Sequence, residues 1–159
     1  MRGACGAKMT VNDFYDALLC ALAVYVGFKF WKKFVHRPRV WVLDDSESDM
    51  MLFKMNIKLD ECDLRYFTSP QGIINAYIKS LATFGAPSCI VIDYYLSDKI
   101  KGDEVLDFFK KNGVKGVVVT GYDGAISNIA ERDIIRKTPN QSYFRQVEAW
   151  ILNATGLRS

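Results

Sequence analysis

Five short segments with strand character, three of them apolar runs, are separated by segments with helical spacing and constrain this chain more than any other feature. The five segments are RVWVL (39–43), CDLRYF (62–67), SCIVI (88–92), GVVVT (116–120) and DIIRK (133–137). Short runs rich in Val and Ile that alternate with helices are typical of parallel strands covered by helices on both faces. The pattern therefore predicts an α/β fold, a doubly wound five-stranded parallel sheet.

The segments between these runs carry the usual signals of helix ends. Ser46 is a good N-cap for a first helix, and Pro70 suits the first turn of a second. Gly113 would end a third helix that begins near residue 102. A short helix is expected within 124–132, and an amphipathic helix within 140–155 closes the chain before Gly156.

The N-terminal segment differs from the rest of the chain. Residues 1–39 carry seven Lys and Arg against two Asp, a net charge of +5, whereas residues 40–159 carry −2. The basic character therefore belongs to this segment, and we expect the globular part to bind no nucleic acid. Residues 17–28 are uncharged and show no polar face, which is typical of a helix buried in protein or in lipid.

We predict two domains, an N-terminal hydrophobic and basic helix (1–38) and a globular domain (39–159). Residues 14–31 would form about 27 Å of helix, close to the hydrocarbon thickness of a bilayer. Basic residues follow this helix, so the positive-inside rule places the globular domain at the cytoplasmic face of the inner membrane. The alternatives are a cytoplasmic protein whose helix packs or dimerises, and a helix that lies in the membrane surface.

Polar side chains lie at or just after the ends of four of the five segments. Asp44 and Asp45 follow the first, and Asp93 follows the third. Thr120 ends the fourth and is followed by Gly121, and Lys137 ends the fifth. With the flavodoxin-like strand order 2-1-3-4-5, these strand ends meet in one crevice at the carboxyl edge of the sheet.

Such a crevice suits phosphoryl transfer. Three adjacent carboxylates repel one another, and oxygen ligands with open positions favour Mg²⁺. We expect Asp93 to be the nucleophile, and Asp44 and Asp45 to hold Mg²⁺. Lys137 and Thr120 would contact phosphoryl oxygens, while Gly121 would leave room for the incoming group.

These residues, in this order, resemble the receiver domain of two-component response regulators over about residues 39–156. The matching segments are VLDD, VIDYYL with GDEVL, VVVTGY and IIRKTP. The resemblance implies phosphorylation of Asp93, with Asp44, Asp45, Asp93 and the backbone carbonyl of Tyr95 as Mg²⁺ ligands. It also implies Mg²⁺-dependent self-phosphorylation from a phosphodonor and later autodephosphorylation, rather than conventional enzyme turnover.

The resemblance also implies partners. A sensor histidine kinase or a histidine phosphotransfer protein would donate the phosphoryl group. Because no effector segment follows residue 159 in the given sequence, we expect the output to be contact with an unidentified downstream protein, or phosphorelay.

Two departures from the family's pattern leave an alternative open. Thr138 separates Lys137 from Pro139, and Ile134 stands where the family has an aromatic switch residue. The alternative is a receiver-like binding module that keeps the fold without switching. A phosphohydrolase of the haloacid dehalogenase type is less favoured, because Ser46 occupies the position where that class needs a second Asp.

Overall fold

The computed structural model describes residues 18–27, 37–83, 85–96, 100–122, 124, 126, 128–138, 140 and 142–157. The chain divides into two compact units, Met1–Arg37 and Pro38–Ser159.

In the first unit, residues 18–27 are helical and their apolar side chains are exposed. Ten helical residues extend only about 15 Å. Within the part of the chain that the structure describes, no helix has the length and apolarity needed to cross a membrane. The predicted transmembrane helix is therefore not supported, although residues 14–17 and 28–31 of that prediction lie outside the described residues.

The second unit is built on a parallel sheet with strand order β2-β1-β3-β4-β5. This arrangement confirms the predicted fold class and strand order. The strands are β1 (Arg39–Leu43), β2 (Asp63–Phe67), β3 (Cys89–Asp93), β4 (Lys115–Thr120) and β5 (Ile134–Arg136).

Four α-helices cover this sheet: α1 (Glu47–Asn56), α2 (Pro70–Leu81), α3 (Gly102–Lys111) and α4 (Tyr143–Thr155). Their ends follow the sequence signals. The Ser46 hydroxyl accepts from the Asp49 N–H at 3.3 Å, and Pro70 stands in the first turn of α2. Gly113 and Gly156 adopt positive φ angles of 77° and 74° just after α3 and α4, where glycine carries no Cβ penalty.

The core consists of two apolar layers, one on each face of the sheet. Met50 and Phe53 of α1 pack with Val147 and Ile151 of α4 on one face. On the other face, side chains of α2 and α3 surround Trp41, which contacts the rings of Phe67 and Phe109. Because both faces are apolar, the polar groups of the central strands collect at the strand ends.

The connection between β4 and β5 differs from the prediction. A short helix was expected within 124–132, but the described residues there hold only a 3-10 turn at Glu131–Asp133. Arg136 of β5 instead holds this connection, since its guanidinium donates to the carbonyls of Tyr122 and Gly124 and pairs with Glu131 at 3.0 Å. One of these side-chain bonds satisfies the Gly124 carbonyl, which the expected helix would have paired internally.

Candidate functional site

The strand order brings the predicted site residues to one edge of the sheet. Asp44 follows β1, Asp93 ends β3, Thr120 ends β4, and Lys137 follows β5. Backbone hydrogen bonds align three of these ends: Tyr94 N–H donates to Val119 O at 2.9 Å, and Lys137 N–H donates to Thr120 O at 2.7 Å. The relative positions of the side chains are thus set by the sheet itself.

Lys137 lies at the centre of this group. Its Nζ is 2.8 Å from Asp93 Oδ1, 2.8 Å from Asp49 Oδ2 and 3.8 Å from Asp44 Oδ2. One ammonium therefore faces three carboxylates that come from two strand ends and from the first turn of α1. The cavity left among these groups is only about 10 Å³, so the lysine head fills the space between the carboxylates.

Three carboxylates are arranged in a way that fits a hard divalent cation. One oxygen each of Asp44, Asp45 and Asp93 lies within 4.8 Å of the others. Asp44 and Asp93 are both 8% exposed, so water screens their charges poorly. Oxygen donors crowded in this way, with Asp45 only partly buried, match the chemistry that Mg²⁺ prefers.

The protonation of these groups reflects burial first and charge second. Burial raises the pKa of Asp44 to about 6; the Ser46 N–H bond opposes this shift, and the charge of Asp93 adds to it. Burial also raises the pKa of Asp93, although the hydrogen bond from Lys137 opposes the shift. Burial alone would lower the pKa of Lys137, but its hydrogen bonds to Asp49 and Asp93 raise it, so Lys137 stays charged.

Thr120 and Gly121 border the acidic group. Thr120 is fully buried, and its Oγ1 accepts from the Tyr122 N–H at 3.0 Å, which leaves its hydroxyl proton free to donate. A Cβ added to Gly121 would meet no atom within 4 Å, so packing against the described protein does not require a glycine here. Its role beside an incoming group stays a prediction.

The loop after Asp93 is held against the site by backbone groups. Tyr95 N–H donates to Asp93 Oδ2 at 2.9 Å, and Gly102 N–H donates to Tyr94 O at 3.1 Å. A Cβ on Gly102 would collide with the backbone of Asp93 and Tyr94, so only glycine lets α3 begin this close to β3. The rings of Tyr95 and Tyr122 make an edge contact at 6.4 Å and are 59% and 46% exposed at the rim.

Sequence reasoning missed two residues of this site. Asp49 contacts Lys137 as closely as Asp93 does, and Tyr143 of α4 lines the buried side of the group. Asp49 stands three positions after the N-cap Ser46, a place where an acidic residue normally serves the helix dipole. Only the packing of α1 against the sheet brings its carboxylate to Lys137.

Comparisons with known proteins identify the fold. No protein-family model matches this chain, and no curated protein matches it. Among solved structures, the chain is similar to a signal receiver domain from Vibrio parahaemolyticus assigned to a Luxo repressor protein, with a TM-score of 0.59 and 24% identity. That match covers 77% of this chain and 95% of the Vibrio chain.

Two further solved structures have a similar fold. The phosphorylated cyanobacterial phytochrome response regulator RcpA matches with a TM-score of 0.58 and 19% identity, over 78% of this chain and 98% of its own. The receiver domain of the Francisella response regulator 1452 matches with a TM-score of 0.57 and 14% identity, over 75% and 97%. The chain therefore has the fold of response regulator receiver domains.

Because the pKa of Asp44 is raised in the folded chain, its charged form destabilises the fold at neutral pH. Replacing Asp44 by a neutral residue should therefore raise the free energy of unfolding by an amount that depends on pH. The folded chain binds a proton at Asp44 up to about pH 6, whereas an unfolded aspartate releases it near 3.8. Wild-type stability should therefore fall as pH rises through this interval. We expect Asp44→Asn, without divalent cations, to raise the free energy of unfolding at pH 7 by about 1–3 kcal/mol.

Urea unfolding of the full chain between pH 4 and 8 measures this effect. The gain should shrink steadily as pH falls toward 4, because Asp44 is then protonated in the folded chain and partly protonated in the unfolded chain. Asp60→Asn, at an exposed aspartate away from the site, is the matched control and should leave the stability within about 0.5 kcal/mol of wild type. Equal stability of Asp44→Asn and wild type at pH 7 would contradict the assignment.

Proposed function

We propose that this chain, whose fold is that of receiver domains, is a response regulator receiver that accepts a phosphoryl group on Asp93. One observation carries the proposal: the Asp93 carboxylate, 8% exposed, lies 2.8 Å from the Lys137 ammonium within a group of acidic side chains. A buried carboxylate held by a cation beside potential metal ligands is suited to act as a nucleophile toward phosphorus. The phosphorylated state of the cyanobacterial neighbour supports the same reading.

The proposed step uses the chain's own groups in distinct ways. A lone pair of the Asp93 carboxylate forms a bond to phosphorus while the bond between phosphorus and the donor's imidazole nitrogen breaks, and that nitrogen keeps the electron pair. Lys137 neutralises charge on the phosphoryl oxygens, and the Thr120 hydroxyl donates to another of them. The Tyr95 N–H holds Asp93 Oδ2 in place during the step.

Magnesium fits this site as the chain presents it. Asp44, Asp45, Asp93 and the backbone carbonyl of Tyr95 would hold the ion. When bound, Mg²⁺ supplies positive charge that draws the phosphoryl oxygens toward the carboxylates and relieves the repulsion among them.

The donor would be a protein that carries a phosphohistidine, either a sensor histidine kinase or a phosphotransfer protein. Helix α1 offers a surface for it, since its first turn reaches Lys137 through Asp49 and its outer face bears exposed apolar side chains. Met51 and Met55, one turn apart, are 64% and 62% exposed. Flexible methionines are well suited to contact a helical partner.

A binding module that does not switch remains the second candidate. Ile134 is partly buried against the apolar layer of α2 and α3, so the family's aromatic switch position is occupied here by a packed aliphatic side chain. Arg136 also fixes the carbonyls of Tyr122 and Gly124, which limits movement of the segment after Thr120. The output of such a module would depend on partner contact rather than on rotation of an aromatic ring.

The first test of this function is phosphorylation of the full chain by a small phosphodonor. With Mg²⁺ present, we expect a shifted band on a phosphate-affinity gel, because the Asp93 carboxylate attacks phosphorus once its charge is balanced. Asp93→Ala should abolish the band, and EDTA should reduce it by at least about tenfold. Asp60→Asn, at an exposed aspartate, should be phosphorylated like wild type.

Two results would contradict the proposal in different ways. A band that persists in Asp93→Ala would place the phosphoryl group on another residue. If wild type gives no band and also binds no beryllofluoride in the presence of Mg²⁺, the binding module is the better interpretation.

The proposed donor surface predicts a selective defect. Met51→Lys combined with Met55→Lys should lower phosphotransfer from an autophosphorylated sensor kinase by about tenfold or more, because charged side chains would disrupt an apolar contact. Phosphorylation by the small donor should stay at the wild-type rate. Ile78→Lys, at a residue 57% exposed on α2 on the other face of the sheet, is the matched control. Equal loss with both donors would mean that the helix itself is damaged.

We also propose that the chain works at the cytoplasmic face of the inner membrane, with a cytoplasmic location as the alternative. Supporting this, the helical residues 18–27 expose Leu19, Leu22 and Val24 at 66%, 58% and 72%, and basic residues follow in the sequence. Flotation of the full chain with vesicles containing anionic lipid measures membrane binding, which Leu19→Gln with Leu22→Gln should lower severalfold. No flotation of wild type would contradict the membrane location, and equal flotation of this variant and wild type would contradict the role of Leu19 and Leu22.

A further inference from the structure

Asp49 makes a contact that the proposed phosphoryl transfer does not require. Its Oδ2 lies 2.8 Å from Lys137 Nζ, the same distance as Asp93 Oδ1. The Asp49 side chain is 38% exposed, whereas that of Asp93 is 8% exposed. The lysine that is expected to bind the phosphoryl group is therefore already shared with a carboxylate at the solvent side of the site.

The ordinary role of an acidic residue in a first helical turn does not account for this contact. The N-terminus of α1 is capped by the Ser46 hydroxyl, which accepts the N–H of Asp49 itself. Glu47 supplies a second acidic side chain to the same turn. The Asp49 carboxylate points to Lys137 instead, and there its charge contributes to raising the pKa of both Asp44 and Asp93.

Asp49 thus adds a negative charge to the ligand-free site beyond those of Asp44 and Asp93, which already face Lys137. Three aspartates, at positions 44, 49 and 93, face one lysine, and Asp93 loses its own charge when it becomes an acyl phosphate. The dianionic phosphoryl group then needs the N–H bonds of Lys137, two of which are engaged by Asp49 and Asp93 in the ligand-free chain. The Asp49 charge close to that lysine opposes the incoming anion.

We propose that Asp49 is a positioning residue that holds Lys137 in the ligand-free chain and competes with the phosphoryl group for its ammonium. The inference rests on the function proposed above and adds a regulator of the same site. Asp49 holds the lysine next to Asp93, and it sets how strongly a phosphodonor must bind to draw the lysine away.

The experiment compares Asp49→Asn with wild type in the full chain. Asparagine keeps a hydrogen-bond acceptor for Lys137 but removes the charge. Beryllofluoride, a stand-in for the phosphoryl group, is added with Mg²⁺, and its binding is followed by fluorine NMR. We expect Asp49→Asn to bind it about three- to tenfold more tightly at low salt, and the gain to shrink at high salt.

Glu47→Gln is the matched control, because it removes one negative charge from the same helical turn without a contact to Lys137 among the described residues. It should bind beryllofluoride like wild type. If Glu47→Gln tightens binding as much as Asp49→Asn does, the effect is general charge and the inference is wrong.

A second readout needs no ligand or metal. Proton exchange at the Lys137 ammonium, followed by nitrogen-15 NMR in the ligand-free chain, should be severalfold faster in Asp49→Ala than in wild type, and Asp49→Asn should restore part of the protection. Unchanged exchange in Asp49→Ala would contradict the holding role.

The two proposals fail differently. If wild type binds beryllofluoride and Asp49→Asn binds it equally or more weakly, only the competition by Asp49 is wrong. If wild type binds none, the proposed function fails and the competition fails with it.

Discussion

The ammonium of Lys137 sits where carboxylates from β1, β3 and α1 converge, and the arrangement of this edge of the sheet depends on it. Asp44 and Asp93 are each buried to a degree that makes an isolated charge costly. Without the cation 2.8 Å from Asp93, these carboxylates would have to take up protons or separate. With it, they stay close together and keep enough unbalanced negative charge to attract a divalent cation.

The lysine can reach this position because β5 is short and pairs only with the end of β4. Three residues form β5, and the Lys137 N–H continues the ladder by donating to Thr120 O at 2.7 Å. The same residue thereby contributes a backbone bond to the sheet and a charge to the site. Arg136, immediately before it, fixes the segment after Thr120 through the carbonyls of Tyr122 and Gly124. Arg136 and Lys137, which are adjacent at the end of β5, thus position the segment after Thr120 and the carboxylates of the site, respectively.

The two apolar layers explain why function is confined to one edge. Helices cover both faces of the sheet, so β1, β3 and β4 are almost wholly buried along their length. A polar side chain can be accommodated only where a strand ends at the edge of the core. In the strand order 2-1-3-4-5, four such strand ends lie together. The close approach of Gly102 to the backbone of Asp93 keeps the following helix near this edge.

The amino-acid sequence by itself determined the fold class, the strand order and the set of strand-end residues that meet. Alternating apolar runs and helix-end signals are local properties, and the handedness and order of such sheets follow from general rules. The sequence did not reveal that the described part of segment 124–132 lacks the expected helix, because the bonds from Arg136 to the carbonyls of Tyr122 and Gly124 depend on the pairing of β5 with β4.

The role of Asp49 was also decided only by tertiary structure. In the sequence it is an ordinary first-turn acidic residue, and its separation of 88 positions from Lys137 gives no sign of a contact. Packing of Met50 and Phe53 into the core sets the rotation of α1, and this rotation turns Asp49 toward the lysine. A charge pair between distant segments depends on how a helix packs against the sheet. Local sequence patterns do not encode this packing.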